Sequence, residues 1–274
     1  MKTTLVITIL VLATLATAQE GPPPHAIKGS ILDAVSLPGQ MWVSSGTISP
    51  FEHGDIISQS YFEQGTRVYG AWGNSLTLTP YTGFGMVLDT EGHAWNNKVQ
   101  PSGGIKVSKM FRRGIISVGT AYSYEYRFTS AKEFKASGRT DYILDWFGWN
   151  PVVAHKSRFP GSTWSIIGHI SPVEHGNLIE EGYVTQGVII KRFRSKALIP
   201  YGELTLAHDS KGFDWENKAV YGGGAKVGAP IGENAYTEFG AGYSREDRLK
   251  SGLSANGIKV FMNFSFNWSL LGRK

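Results

Sequence analysis

The sequence contains no cysteine among its 274 residues. This absence excludes a disulfide framework and a cysteine-linked lipid anchor. Beyond the N-terminus no run approaches 18 consecutive apolar residues, so we expect no transmembrane helix there. Phosphate-binding loops, zinc-ligand spacings and dinucleotide fingerprints are missing too, and we therefore expect no cofactor.

Charge of one sign is nowhere concentrated along the chain. The 27 lysines and arginines exceed the 22 carboxylates, giving a formal net charge of +5, but the basic residues are scattered among the acidic ones. A scattered excess is typical of a solvated surface, so the basic balance does not predict a nucleic-acid partner.

The N-terminus has the layout of a secretory signal. "MKTTLVITILVLATLATAQE" places Lys2 before an apolar run and ends it in the small residues "ATA". This pattern predicts a signal peptide over residues 1–18. Residues 19–37 are then a proline-rich extension, which we expect in the periplasm.

An octapeptide occurs twice, and it belongs to a longer internal repeat. "ISPFEHGD" at 48–55 matches "ISPVEHGN" at 170–177, and the block at 79–107 aligns without gaps on 199–227. We therefore predict two tandem units, 38–150 and 160–268, joined by a periplasmic connection at 151–159 and followed by a tail at 269–274.

Within each unit the dominant hydrophobic period is two. In "GIISVGTAYSYEYRF" at 114–128, apolar and aromatic residues alternate with small and charged ones. Such strands exceed the usual length in soluble sheets, and their aromatic rows would aggregate in water. The pattern predicts an all-β, closed antiparallel transmembrane β-barrel of about 12 strands, built from two six-stranded repeats, in the bacterial outer membrane. The alternative is a soluble, secreted β-sandwich. The predicted strands are 40–48, 58–70, 75–88, 95–110, 114–128, 138–149, 162–169, 181–193, 196–208, 215–228, 234–245 and 256–268.

The phrases "EQG", "WNNK", "GGIKV" and "DWFGW" resemble those in the barrels of exopolysaccharide-export and phage N4 receptor-type proteins. The resemblance implies an outer-membrane barrel and carries over no individual residue. Helical repeats, which usually precede those barrels, are missing from this sequence. The C-terminal "NFSFNW" is a candidate signal for the barrel-assembly machinery, and lipid and lipopolysaccharide are expected neighbours.

The polar strand face supplies the first candidate site, the lumen. Its charges either form a salt-bridged interior that fills the barrel, or line a passage in which lysines favour anionic or hydroxyl-rich solutes. Two tyrosines on this face are candidates for stacking against sugar rings. The predicted lumen residues are Glu63, Arg67, Tyr81, Lys98, Lys106, Glu125, Arg127, Asp141, Asp145, Tyr201, Glu203, Glu216, Lys218, Lys226, Glu238 and Lys259.

The repeated octapeptide supplies the second candidate site. Its serine, glutamate and histidine are the residue types of a serine hydrolase, but the tight loop spacing gives no reason to expect a catalytic geometry. We therefore expect a turn with Gly54 and Gly176 at positive φ, or an extracellular contact for a saccharide or phage. The loop residues in question are Glu52, His53, Glu174 and His175.

A turn motif, "DTEGHAW" at 89–95 and "DSKGFDW" at 209–215, supplies the third. Asp89, Glu91 and His93 are cation-binding types, but Lys211 replaces Glu91 in the second copy. We therefore expect no metal and no catalytic residues. The leading hypothesis is a channel or exporter for small polar, anionic or saccharide solutes. The alternatives are an outer-membrane lipid hydrolase or deacylase and a closed-barrel receptor or structural protein.

Overall fold

The computed structural model describes residues 35–47, 49–52, 54–69, 76–93, 95–129, 134–149, 158–174 and 176–270. Within these residues the fold is almost entirely β, with twelve long strands. They are β1 (Pro38–Gly46), β2 (Ile57–Gly65), β3 (Leu76–Asp89), β4 (Lys98–Phe111), β5 (Gly114–Arg127), β6 (Phe134–Trp149), β7 (Gly161–His169), β8 (Ile179–Gly187), β9 (Lys196–Asp209), β10 (Lys218–Ile231), β11 (Ala235–Arg248) and β12 (Ser254–Ser269).

The sheet closes on itself. Each long strand pairs antiparallel with the next, and β12 pairs with β1 from Phe261↔Gly46 to Ser269↔Pro38. Closure leaves no long strand with an open edge, which satisfies the requirement that backbone groups in lipid bond internally. The predicted closed antiparallel barrel is confirmed. Shorter elements are strands at Val35–Ser36, Arg67–Tyr69 and Lys191–Phe193 and a 3₁₀ turn at Asp214–Glu216.

The two halves of the barrel have strands of equal length. The strands run 9, 9, 14, 14, 14 and 16 residues from β1 to β6, and the same series recurs from β7 to β12. The equal lengths favour the predicted duplication, whose unit boundaries stay a prediction.

Connections separate the barrel into two rims. The segments after β1, β3, β5, β7, β9 and β11 all leave one rim, here the loop rim, and include both octapeptides. The opposite strand ends, with the start of β1 and the end of β12, form the turn rim, where Arg112–Arg113 join β4 to β5. Residues 1–34, 151–157 and 271–274 lie outside the described residues, so the signal peptide and most of the periplasmic connection fall there.

The outer face carries the apolar residues that the alternation predicted. Val118 and Tyr122 of β5 and Phe239 of β11 are exposed, and Ile258 of β12 is 74% exposed. This exposed aromatic and aliphatic surface suits hydrocarbon, because a soluble sheet of this size would bury it. No helix among the described residues is long and apolar enough to cross a membrane.

Two predicted strands begin three residues later in the structure than expected. Residues 95–97 lie in a turn, and 215–217 lie in and just after the 3₁₀ turn, so β4 and β10 begin at Lys98 and Lys218. Asn97 and Asn217 explain the shift, because each side-chain amide donates to the aspartate that opens the same loop, Asp89 or Asp209. These bonds favour a closed turn over continued strand pairing.

Candidate functional site: the lumen and its mouth

Contacts between distant strands identify the lumen face. The Tyr142 hydroxyl of β6 donates to the Tyr81 hydroxyl of β3 at 2.8 Å, and Lys259 of β12 contacts Glu203 of β9 at 2.5 Å. Each pair is three strands apart around the barrel, so the side chains meet only across the interior. Because side chains alternate and directly paired residues share a face, these contacts fix which residues point inward on every strand.

One polar cluster, the first-half belt, crosses the interior of β2, β3, β4 and β6. Lys106 Nζ contacts Glu63 Oε1 at 2.6 Å, and the Tyr61 hydroxyl donates to Glu63 Oε2 at 3.0 Å. Tyr81 lies beside this pair, with Lys106 Nζ 5.0 Å from its ring centre. Both charged residues are buried, so the belt is a tightly packed ion pair.

A related cluster, the second-half belt, fills the interior of β8 to β12. Tyr183 donates its hydroxyl to Glu203 Oε2 at 2.9 Å, beside the Lys259–Glu203 pair. Tyr201 packs edge-on against Phe261, with ring centres 5.8 Å apart. Lys226 contacts Glu238 at 2.9 Å. Tyr81 and Tyr201 are inward, as predicted, but both are buried and do not offer a free stacking face.

Glycines let the aromatic rings of the belts lie against the wall. A Cβ added to Gly119 would lie 2.5 Å from Cζ of Tyr142, and one added to Gly240 would lie 2.5 Å from Cζ of Phe261. Any other residue at these positions would displace the rings that reach across the lumen.

Two buried glutamates near the loop rim each contact two further lumen cations. Glu125 pairs with Arg127 at 2.7 Å and with Lys98 at 3.4 Å. Glu246 pairs with Arg248 at 3.2 Å and with Lys218 at 3.9 Å. Every lysine predicted to favour anions is thus paired with a glutamate. The structure therefore supports the salt-bridged interior rather than a row of free positive charges.

Two aspartates predicted for the lumen lie instead on the outer face. Asp145 pairs directly with Ile116 and Ser165, and its neighbour Ile143, two residues away on the same face, is exposed toward the outside. Asp145 is 4% exposed and accepts a hydrogen bond from the Ser165 hydroxyl. This bond accounts for a carboxylate on that face, because it satisfies the group locally.

Asp141 shares the outer face with Asp145. It contacts Nδ1 of His169 at 2.8 Å, and both side chains are nearly half exposed. The inward positions of β6 are those of Tyr142, Leu144 and Trp146, so the inward prediction for both aspartates was wrong.

Two other predicted lumen residues lie at the rims. Arg67 follows a break in pairing at Thr66, faces inward at the turn rim and donates to the Met110 sulfur at 3.7 Å. Glu216 belongs to the 3₁₀ turn at the loop rim and not to a strand. It is therefore part of the mouth and not of the lumen wall.

The first octapeptide loop folds into the mouth. Ser49 donates its hydroxyl to Oε2 of the inward Glu246 at 2.9 Å, and the Arg248 guanidinium lies 4.0 Å from the Phe51 ring centre. Pro50 lies against inward Gly257. Burial and the neighbouring Asp55 raise the pKa of Glu52 in this loop. The loop is therefore bonded to the inner wall of β11 and β12.

The second octapeptide loop is held by Asn177. Its side-chain amide donates to Glu174 at 2.7 Å, to Asp209 at 2.9 Å and to Glu216 at 3.1 Å. Burial, together with the nearby Glu174 and Asp209 charges, raises the pKa of Glu216 to about 7. Glu52 and Glu174 therefore belong to the mouth; His53 and His175 lie outside the described residues.

Gly54 and Gly176 have φ of 84° and 71°, which confirms the predicted turns.

In the first half, Asp55, Asp89 and His93 bring three ligand atoms within 4.8 Å of one another.

Sequence reasoning did not predict that three tryptophans point into the lumen. Trp42 stacks on Tyr61 and Trp164 on Tyr183, with ring centres 6.4 and 6.2 Å apart, and Trp146 pairs directly with Trp164. Trp42 is 41% and Trp146 47% exposed. The signal that could have found them is the repeat itself, because Trp42 and Trp164 occupy matching positions in polar strand contexts.

No protein-family model matches the sequence, and no curated protein matches it. Solved structures with a similar fold include the β-domain of the Bordetella autotransporter BrkA, with 13% identity and a TM-score of 0.41 over 85% of this chain and 99% of that one. The NalP translocator domain from Neisseria meningitidis has 12% identity and a TM-score of 0.38, over 96% and 95%. The COG4313 outer membrane channel from Pseudomonas putida F1 has 7% identity and a TM-score of 0.44, over 91% and 100%.

The closed barrel and its apolar outer face are those of a bacterial outer-membrane protein. A soluble β-sandwich, the alternative fold, has two separate sheets with open edges, and this single closed sheet has neither.

Proposed function

We propose that the protein is a narrow outer-membrane channel for small, uncharged, hydroxyl-rich solutes such as saccharides. The observation that carries the proposal is the exposure of Trp42 and Trp146, which point into the lumen and keep nearly half of their surface free. An inward side chain keeps exposed surface only where solvent-accessible space lies beside it. Indole faces beside hydroxyl and carboxylate groups suit solutes that have both apolar and hydroxyl-bearing sides.

The preference for uncharged solutes follows from the ion pairs. Lys106, Lys226 and Lys259 each contact a glutamate within 2.9 Å, so a passing anion meets neutral pairs. An ion would also have to leave water in a narrow passage without a compensating charge. The expected anion preference is therefore not part of this proposal.

The preference for small solutes follows from the mouth and the barrel size. Barrels of eight strands are filled by side chains, whereas those of 16 to 18 leave a wide aqueous channel. A twelve-stranded barrel lies between them, and here two belts and an inward loop occupy part of the cross-section. We expect monosaccharides and disaccharides to pass faster than longer oligosaccharides.

The test combines planar-bilayer recording with liposome swelling, using the protein refolded in detergent. We expect a low but steady conductance with little selectivity between cations and anions, because ions cross less readily than neutral solutes, and swelling rates that fall from glucose to maltose to raffinose. Trp42→Ala and Trp146→Ala should weaken block of the current by maltose, whereas Tyr243→Ala on the outer face should leave it unchanged. A heat-modifiable barrel with neither conductance nor swelling would overturn the channel proposal and favour a closed receptor or structural barrel.

One observation favours the alternative function, a lipid hydrolase, but a second residue that such an enzyme needs is not found beside it in the described residues. Asp141 and His169 form an acid–histidine pair on the lipid-facing wall. A serine hydrolase also needs a serine hydroxyl bonded to the imidazole, and no serine is bonded to His169 in the part of the chain that the structure describes. Hydrolysis of a lipid ester by the refolded protein, lost in His169→Phe, would establish this activity in place of transport.

A further inference from the structure

The two octapeptide loops carry different residues at one matching buried position in the mouth. In the second half, Asn177 occupies the last position of the octapeptide, and its amide donates hydrogen bonds to Asp209 and two glutamates. In the first half, the matching residue is Asp55. A carboxylate there cannot donate, and it faces Asp89, which matches Asp209.

Asp55 is almost fully buried, with 1% of its surface exposed. Its Oδ1 accepts from the backbone N–H and the hydroxyl of Thr90 at 3.0 and 2.9 Å. Its Oδ2 is buried and has no hydrogen-bond partner. A buried carboxylate oxygen without a donor costs free energy, and a bound cation is one of the few groups that supply the missing interaction.

The surroundings of this oxygen are those of a metal site. His93 Nδ1 lies 3.2 Å from Asp89 Oδ2 and 3.9 Å from Asp55 Oδ2. Ligand atoms around a tetrahedral zinc ion are separated by roughly 3.4 Å, given metal–ligand bonds near 2.1 Å. The three atoms lie within 4.8 Å of one another, so small side-chain rotations bring all three into the first coordination sphere of one small divalent ion.

The groups around His93 and Asp89 are arranged to hold these two side chains as metal ligands. The Nε2 of His93 lies 3.7 Å from the Glu91 carboxylate, so an imidazole that coordinates through Nδ1 carries its proton on Nε2, next to an acidic group. Asp89 is oriented in turn by Asn97, which donates to its Oδ1 at 2.6 Å. Phe213 stands at the matching position in the second half and stacks on Trp215, as His93 stacks on Trp95.

We propose that Asp55, Asp89 and His93 bind one divalent transition-metal ion of the zinc class, which joins the first octapeptide loop to the β3–β4 loop in the barrel mouth. One imidazole and two carboxylates suit zinc better than calcium, which takes six or more oxygen ligands. The ion takes the place that the Asn177 amide fills in the second half. The sequence analysis expected no metal because Lys211 replaces Glu91 in the second copy. It did not include Asp55, which comes from a loop 34 residues before Asp89.

The test is calorimetric titration of the full barrel in detergent, after chelator treatment, with zinc chloride and separately with calcium chloride. We expect one zinc per chain, and binding at least tenfold weaker in Asp55→Asn and in His93→Phe. Both variants insert the residue that the second half already carries, so the loop should still fold, which heat-modifiability checks. His169→Phe is the matched control, because it removes the His169–Asp141 pair on the outer face and should leave zinc binding unchanged.

A reciprocal variant tests the same site by gain of function. Asn177→Asp combined with Phe213→His gives the second half the same three candidate ligands as the first, with Asp209 as the third, and we expect two zinc ions per chain. Failure of the wild type to bind zinc, equal binding in all variants, or binding of calcium with no preference for zinc would each overturn the proposal. Zinc binding does not depend on transport, so a silent barrel that binds zinc overturns only the channel.

Discussion

The indole N–H of Trp268 donates to Oε1 of Gln64 at 2.9 Å, across 204 residues of sequence. The tryptophan that ends the first half forms the equivalent bond: Trp149 donates its indole N–H to Oε1 of Gln186 at 2.8 Å. Each glutamine also donates to two backbone carbonyls, Pro38 and Gly65 for Gln64, and Pro160 and Gly187 for Gln186. The last tryptophan of each half is thus bonded to the second strand of the other half.

Loss of the Trp268 bond should weaken barrel closure. Trp268→Phe keeps the ring contact with Phe62 but removes the donor, so we expect the free energy of unfolding to fall by about 1 kcal/mol. Urea unfolding in detergent, followed by the gel shift of the folded barrel, measures it. Gln64→Leu should cost more, because it also breaks the bonds to Pro38 and Gly65. Adding Trp268→Phe to Gln64→Leu should then cost little more, since the bond between the two residues is already broken. Fully additive losses would mean that the bond contributes nothing.

Breaking the first-half belt should cost more. Glu63→Gln leaves the buried Lys106 ammonium without its carboxylate, and we expect a loss of about 3 kcal/mol in unfolding free energy. Arg245→Gln is the matched control, because Arg245 pairs with Asp247 on the exposed outer surface; its loss should stay below about 1 kcal/mol. Similar losses in both variants would contradict a buried ion pair in the lumen.

Sequence alternation predicted the strands well because a closed barrel imposes a strict period of two on every strand. In β5, Val118 and Tyr122 face lipid while Glu125 faces the lumen, as the pattern requires. Asp145 broke the rule because its bond to Ser165 on the neighbouring strand satisfies a carboxylate on the outer face. A single strand contains no information about such a partner.

The mouth was harder to predict than the wall. Turns at Gly54 and Gly176 followed from local residue types, and both glycines have positive φ. The contact of Ser49 with Glu246 joins residues 197 positions apart. It depends on the loop folding inward over a closed barrel, which no local period encodes.

The second-half mouth should lose stability as pH rises through the neutral range. Burial and neighbouring carboxylates raise the pKa of Glu216 from 4.5 to about 7. Between these values the folded state holds a proton that the unfolded chain has released, so the free energy of unfolding falls as pH increases. Solvent screens this half-buried group, and we expect an effect of about 1 kcal/mol.

Glu216→Gln should remove this pH dependence and stabilise the protein at pH 8. Thermal unfolding of both proteins at pH 5 and pH 8 measures the difference. If the difference in stability between the wild type and Glu216→Gln is the same at pH 5 and pH 8, Glu216 ionises normally in the folded barrel.

The first octapeptide loop should control the width of the mouth. Phe51→Ala removes the ring under the Arg248 guanidinium, and Ser49→Ala removes the hydrogen bond to Glu246. Because these contacts hold the loop against the inner wall, we expect the double variant to show higher and noisier single-channel conductance, and raffinose to enter liposomes faster. Val173→Ala, at the position in the second loop that matches Phe51, is the control and should change neither. Unchanged currents in the double variant, with the barrel still heat-modifiable, would mean that the passage is limited at the belts of Glu63 and Glu203 instead.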